Sequence, residues 1–365
     1  MKKPRVALVC DWLTNMGGAE RVILQMVKVF PEAPIFTSFY CPNKMPLFAK
    51  ADVRASYLNV LPEFLRKHQV FLPLYPRVFE SFDLSEFDIV ISSSHSCAKG
   101  VVTGSRTLHV SYCHSPMRYL WDDCHSYFRD YPMNSLAKFV APFFFKNLRI
   151  WDFASAQRVD NFIANSSLVQ KRIAKYFRRE SEVIYPSIDV NRWEVSKRVG
   201  DYYLALGRLT PYKKFDLLID VFRERDEKLK IVGTGPELER LKSRASKNIE
   251  FLGFVPDEDL NAIYANARAL IFPQKEDFGI TPLEAMACGR PVIFFRDGGA
   301  LESIKDKTCG MGFDSQTPEA LHSVLNEFES KRFDSSKIRK HAEKFSDEVF
   351  CERFRSFVFD SWRAF

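Results

Sequence analysis

Two carboxylates, Glu276 and Glu284, stand with seven residues between them in the run Pro273-Gln-Lys-Glu276-Asp-Phe278-Gly279-Ile280-Thr281-Pro282-Leu-Glu284-Ala-Met-Ala-Cys-Gly289. An ionised Glu only accepts hydrogen bonds, and a polyhydroxyl ligand offers many donors. The residues between them suit an anion. The apolar run Ala269-Leu-Ile-Phe272 reads as a buried strand, Thr281 as a helix N-cap, Pro282 as a first helical residue and Gly289 as the stop. The N–H groups of Gly279, Ile280 and the first helical turn then point together, with the positive end of the helix dipole behind them. That arrangement suits a phosphate or a sugar hydroxyl. Thr281-Pro-Leu-Glu284 also reads as a capping box, in which Glu284 bonds back to the cap's own N–H. On this stretch alone, cap and ligand both stand open for Glu284.

Other residues repeat the pattern of strand, polar loop and helix. Gly207-Arg208-Leu-Thr-Pro-Tyr-Lys213 follows the strand Tyr202–Leu206 and opens a helix from about Lys213. Two cations flanking such a loop can grip a diphosphate, although solvated surface charges are the plain alternative. Gly233-Thr-Gly235 follows Leu229–Val232, and Gly253-Phe254-Val255-Pro-Asp257 follows Ile249–Leu252. Gly17-Gly18, between a first strand at Arg5–Cys10 and a helix from Ala19 to Phe30, lets a ligand approach the backbone or merely turns the chain. His114 lies just past the strand Thr107–Tyr112, at the carboxyl end where open α/β sheets bind ligands. Arg118, Tyr119 and Trp121 follow it; a satisfied structural histidine is the alternative. Asp257-Glu-Asp259 is the only D-x-D spacing, but Asp257 is better used as a helix cap.

The elements that must position these residues follow from length and pattern. A chain of 365 residues, 46% hydrophobic and 27% charged, suggests two ordinary domains and is not that of a membrane-embedded protein. No apolar run approaches the ~18 residues needed to span a bilayer. Met1-Lys-Lys-Pro-Arg leads directly into a strand, without a secretory signal of the usual form. The eight cysteines form no C-x-x-C pair and fit reduced thiols in a cytosolic protein. The net charge of +7 suits anionic partners, but no nucleic-acid motif accompanies it. Further strands are expected at Ile35–Ser38, Val53–Ser56, Ile89–Ser93, Phe162–Asn165 and Pro291–Phe295. Pro142 is expected to break a helix over 135–160, and Pro186 to mark the crossing into a second domain. The stripe Phe350, Phe354, Val358 and Trp362 on the last helix reads as core.

With Glu276 and Glu284 around Phe-Gly and Pro-Leu-Glu-Ala, Gly207-Arg208 followed after four residues by Lys213, and Gly17-Gly18-Ala-Glu20, the chain resembles retaining glycosyltransferases of family four. The string His114-Ser-Pro-Met-Arg118-Tyr119-Leu-Trp121 resembles a bacterial O-antigen mannosyltransferase branch. The resemblance implies an α/β fold of two facing Rossmann-like, doubly wound domains, the B-type glycosyltransferase fold. Residues 1–186 would form the acceptor-side domain, 187–345 the nucleotide-sugar domain, and 346–365 a helix returning to the first. Arg208 and Lys213 would hold the donor diphosphate, Glu276 the sugar hydroxyls and Glu284 the ribose. Gly17, Gly18, Gly233, Gly235, Phe254, Val255, Phe278, Gly279, Ile280 and Thr281 would complete the donor site. His114 would stand near the transferred sugar, and Arg118, Tyr119 and Trp121 on the acceptor side.

The family needs no metal and no cofactor beyond the nucleotide-sugar co-substrate, and its leaving phosphate takes the acceptor's proton. Mannose from GDP-mannose, passed to a lipid-linked or saccharide acceptor of bacterial surface polysaccharide, is the expected reaction. UDP-hexose or UDP-N-acetylhexosamine donors, a sugar-nucleotide epimerase or a phosphorylase on the same fold, and a non-catalytic nucleotide-binding module are the alternatives. A cytoplasmic enzyme at the inner membrane face is expected. Two segments, Phe64–Arg77 and Lys138–Trp151, combine basic and large apolar residues suited to an anionic interface.

Overall fold

The computed structural model describes residues 3–66, 70–125, 135–196 and 198–365, with the side chains of 135–141 outside the description. The chain forms two compact units, Met1–Tyr185 with Phe350–Phe365, and Pro186–Val349.

The first unit runs β1 (Val6–Cys10), α1 (Gly18–Val29), β2 (Ile35–Thr37), β3 (Val53–Ala55), α2 (Tyr75–Glu80), β4 (Ile89–Ser94), β5 (Leu108–Cys113), α3 (Ser135–Ala156), β6 (Asn161–Ala164), α4 (Ser167–Arg172) and β7 (Glu182–Val183). Its strands pair in the order β3-β2-β1-β4-β5-β6-β7, all parallel. Parallel strands are covered on both faces, so they read as continuous apolar runs. β1 shows why. Val6, Leu8 and Cys10 pack with Val22, Ile23 and Met26 of α1, while Ala7 and Val9 pack with Val78, Phe79, Phe145 and Leu148 on the other side.

α3 passes through Pro142 as one helix, against the expected break. The lost donor removes one ladder bond, and burial of Phe145 and Leu148 in the next turns holds the helix to the sheet.

The second unit runs β8 (Tyr202–Leu206), α5 (Phe215–Phe222), β9 (Lys228–Val232), α6 (Leu238–Lys242), β10 (Ile249–Gly253), α7 (Leu260–Ala265), β11 (Leu270–Phe272), α8 (Thr281–Ala287), β12 (Val292–Phe295), α9 (Ala300–Ser303), β13 (Gly310–Phe313), α10 (Pro318–Glu329) and α11 (Ser335–Ala342). The order is β10-β9-β8-β11-β12-β13, again parallel throughout. β13 was not expected from its sequence, since glycine disfavours strands. Here the glycine is what permits the pairing: a Cβ on Gly310 would come 1.9 Å from the Val292 carbonyl oxygen of β12.

The last helix, α12 (Asp347–Ala364), carries the chain back into the first unit from Phe350. Phe350, Phe354 and Val358 are buried there beside α1 and β1. Each such side chain stabilises by about 2 kcal/mol.

The sheet of each unit therefore has the defining feature of a Rossmann-like sheet, a reversal of strand order. It falls between β1 and β4 in the first and between β8 and β11 in the second. The crevice outside the strand carboxyl ends at such a reversal is where this architecture binds ligands.

Candidate functional site

In the second unit, the loops leaving β8 and β11 flank the reversal. The first carries Arg208 and Lys213, the second Glu276 through Gly279. The Lys213 ammonium pairs with the Glu276 carboxylate, each side chain 17% exposed. Arg208 is exposed, with no carboxylate partner among the described residues. The two loops thus carry one compensated ion pair and one uncompensated guanidinium.

Glycines let these loops approach other backbone closely. A Cβ on Gly233, where φ is +135°, would lie 1.9 Å from the Gly207 carbonyl oxygen, and one on Gly235 would lie 2.3 Å from that of Leu209. The sequence singled out both as donor contacts. Their packing side is filled by the Arg208 loop, which they hold in place through Leu209 N–H donating to the Thr234 carbonyl at 2.9 Å. The Glu276 loop is held in the same way. Gly299 N–H donates to the Glu276 carbonyl at 2.9 Å, and Cβ atoms on Gly298 and Gly299 would collide with the backbone of Glu276 and Phe278. This support by Gly298 and Gly299 was not read from the sequence. Phe278 is buried, and Gly279 adopts φ +90° against the Phe272 ring. At the end of β10, Gly253 has φ +68°, and beyond it Phe254 is 78% exposed with Val255 half-buried. An aromatic face this open on a ligand-side loop suits stacking.

Of the two readings left open for Glu284, the capping box does not form. Ile280, not Thr281, occupies the N-cap of α8, and no side chain caps that end; Thr281 and Pro282 are the first helical residues. Glu284 points elsewhere. It is 6% exposed, and its Oε2 accepts a hydrogen bond from the Tyr264 hydroxyl at 2.8 Å. The helix ends as expected, with Gly289 at φ +70°, Gly289 N–H bonded to the Met286 carbonyl and Arg290 N–H to that of Ala285. Asp257 is not a cap either. α7 begins at Leu260 behind Asp259, and Asp257 instead accepts from Arg192 at 3.0 Å. Among the described residues, no group of three or more His, Cys, Asp and Glu side chains is placed to hold a metal ion.

In the first unit the reversal is organised by Asp11, which the sequence reading passed over. Its buried carboxylate accepts the backbone N–H groups of His95, Ser96, Cys97 and Ala98 at 2.7 to 2.9 Å, and lies 3.2 Å from His95 Nδ1. His95 stands edge-on to Trp12, and its ring is 6.2 Å from that of His114. His114 Nε2 is hydrogen-bonded to the Ser93 hydroxyl at 2.8 Å. Burial, helped by the His95 charge, pushes its imidazolium down to about 3, so the ring is neutral at physiological pH. Gly17 precedes α1, where a Cβ would sit 2.9 Å from Glu20 Oε2, and Gly18 is the first helical residue. Burial pushes the Glu20 carboxyl above its usual range, partly offset by His95.

The three acceptor-side candidates are tied into the unit. Arg118 pairs with Asp123 at 2.8 Å, and the Tyr119 hydroxyl donates to the Met117 sulfur. Trp121 donates to Asp152 at 2.7 Å and stacks on Tyr176.

Known proteins share this plan. Residues 16–192 match the family model of Glycosyltransferase Family 4, and residues 189–345 that of Glycosyl transferases group 1. The O-antigen chain mannosyltransferase C of Escherichia coli is 28% identical over 204 residues, covering 52% of this chain and 54% of that protein. An uncharacterised glycosyltransferase of Methanocaldococcus jannaschii is 27% identical over 200 residues, covering 52% and 56%. The chain spans about half the length of these curated relatives in the matched regions. Among solved structures, Anabaena HepE in complex with UDP and glucose superposes with a TM-score of 0.73 at 19% identity, over 98% of this chain and 99% of that one. The lipopolysaccharide outer core galactosyltransferase WaaB in its apo form gives 0.67 at 19% identity, over 98% and 99%. The chain is thus built of two glycosyltransferase domains in a B-type fold, related to family-four and other nucleotide-sugar transferases.

Proposed function

We propose that the chain transfers a hexose from a nucleoside-diphosphate sugar to a glycan or lipid-linked acceptor, with retention at the anomeric carbon. The observation that carries this is the Arg208, Lys213 and Glu276 cluster where strand order reverses in the second unit. An ammonium has three donors, so Lys213 can take a phosphate oxygen while Glu276 keeps it in the crevice. Arg208 adds a fork suited to a second phosphate oxygen. Both charges stabilise the diphosphate as the sugar–oxygen bond breaks. Glu276 then accepts from sugar hydroxyls, Glu284 from the ribose, and Phe254 and Val255 flank the base. The acceptor's proton passes to the departing phosphate oxygen, so no general base is needed. In the first unit, His114, hydrogen-bonded to the Ser93 hydroxyl, is the candidate for a hydrogen bond to substrate.

For the donor, a UDP-hexose stands first. Structural neighbours that cover nearly the whole chain are complexes with UDP and UDP-glucose. GDP-mannose is the second reading, on the string after β5 and on relatives named as mannosyltransferases. A thermal-shift screen of UDP-glucose, UDP-galactose, UDP-N-acetylglucosamine and GDP-mannose tests both, because a ligand bound only by the folded state raises the melting point. No stabilisation by any of them overturns the assignment. Conversion of the donor without acceptor would move the enzyme to the epimerases. Transfer is expected to keep its full rate in a chelator; a loss restored by magnesium or manganese would return Asp257 and Asp259 as ligands.

The proposed place of action is an anionic membrane face. No helix among the described residues is long and apolar enough to cross a membrane. The outer side of α3 presents Phe143, Lys146, Ile150 and Phe153 to solvent, and Phe64, Leu65 and Val70 are also exposed. Arg66, expected to meet lipid, instead donates to the carbonyls of Leu61, Tyr40 and Asn59 at 2.7 to 2.8 Å. Lys67, His68 and Gln69 lie outside the described residues, as do the side chains of Lys138 and Phe139. Co-sedimentation with anionic vesicles should weaken with salt and be lost in the double variant Phe143→Ser, Ile150→Ser. No binding at low salt would retire the membrane reading.

A further inference from the structure

The carboxylate of Glu284 is held by a residue that no motif marks. Tyr264 on α7 is fully buried, and its hydroxyl donates to Glu284 Oε2 on α8 at 2.8 Å. A buried hydroxyl is unfavourable unless it is bonded. A phenylalanine would pack the same volume without that requirement. The bond to Glu284 meets that requirement.

Tyr264 is itself fixed. The Trp193 ring stands perpendicular to it, with centroids 5.4 Å apart. Arg339 ties the Trp193 carbonyl to the Ala287 carbonyl at the end of α8, at 2.6 Å each. The Arg192 guanidinium lies 5.0 Å from the Trp193 indole centroid and reaches Asp257 at 3.0 Å, in the loop that follows Phe254 and Val255. The loop proposed to flank the base and the carboxylate proposed to take the ribose are thus joined through Arg192, Trp193 and Tyr264.

We infer that Tyr264 is a positioning residue that orients Glu284 and makes the donor site selective for ribonucleoside over deoxyribonucleoside diphosphates. The inference rests on the proposed role of Glu284 toward the ribose. A glutamate's last torsion is broad and roughly two-fold. Anchoring one oxygen removes that freedom and presents the carboxylate to a sugar hydroxyl in one orientation. Without the anchor, the same carboxylate would have to be ordered on each binding event.

The test is calorimetric titration of the full chain and of Tyr264→Phe with UDP and GDP and with their 2′-deoxy and 3′-deoxy forms. The wild type is expected to bind the better ribonucleotide at least roughly tenfold more tightly than one deoxy form, the scale of one hydrogen bond to an ionised group. Tyr264→Phe is expected to lose roughly tenfold toward the ribonucleotide and less than twofold toward that deoxy form. A tie that only joins α7 to α8 would weaken all nucleotides by one common factor, and that result overturns the inference, as does an unchanged preference. If the wild type binds nucleotides without regard to the ribose hydroxyls, the role of Glu284 itself falls, and Tyr264 with it. A wild type that binds none of the nucleotides overturns the donor assignment as a whole.

Discussion

Arg208→Ala is expected to lower the transfer rate by roughly a hundredfold or more, the scale of losing one charge-stabilising donor, while the melting temperature stays within about 1 °C. The two halves of that expectation come from one observation. Arg208 is exposed and pairs with no carboxylate among the described residues, so its removal strands no partner. In the proposed role it stabilises the charge that develops on the departing diphosphate. Lys213→Ala is a less clean probe, because it also leaves the largely buried Glu276 carboxylate unpaired, a change that destabilises in its own right. Arg208→Lys separates charge from shape. It keeps the cation but loses the planar fork, so its rate should fall between those of the wild type and Arg208→Ala. Turnover of Arg208→Ala within a few-fold of wild type, with the donor found by the thermal-shift screen, would remove Arg208 from the site.

The repeating order of apolar run, glycine loop and helix was legible because parallel strands buried on both faces leave no other pattern. It carried the positions of β1, β8, β9, β11 and the loops that follow them. β13 was hidden because Gly310 serves a neighbouring strand, lying against the Val292 carbonyl. The reading of Thr281 as a cap failed by one residue. Thr-Pro-Leu-Glu satisfies the local rule, yet Tyr264, twenty residues away in sequence, competes for the same carboxylate. Motif logic sees only i to i+3 partners, so it could not register that competition. Asp257 was misassigned for the same reason, its carboxylate going to Arg192 across sixty-five residues.

Gly233 and Gly235 were assigned to the donor site through the family resemblance. The approach that the fold requires of them is from the backbone of Gly207 and Leu209. Arg208 is held in the crevice by its loop, and that loop is held by these two glycines. A sequence motif in such a site therefore mixes residues proposed to touch the donor with residues that only set the geometry of those that do.

Asp11→Ala is expected to lower the melting temperature of the first unit by roughly 10 °C. The carboxylate is 1% exposed and takes four backbone N–H groups from the turn after β4, two on each oxygen. Its own carbonyl accepts from the Ser38 N–H and hydroxyl beyond β2. One side chain thus closes the carboxyl ends of β1 and β4, where the strand order reverses. Removing it leaves buried donors without an acceptor, at about 1–3 kcal/mol for each fully deprived group, and the losses will not add fully. A total near 3–5 kcal/mol corresponds to about 10 °C for a unit of this size, at 2–4 °C per kcal/mol. Asp11→Asn is the sharper comparison, because it keeps the shape. One amide oxygen can still take two of the N–H groups, but the NH2 group meets the other two as donor against donor. It should fall nearly as far as the alanine variant, although it removes no volume. Cavity formation would instead leave Asp11→Asn close to wild type and only Asp11→Ala destabilised. Melting curves for the two variants decide between these causes, and a drop under about 2 °C in both would mean that the turn after β4 holds its place without Asp11.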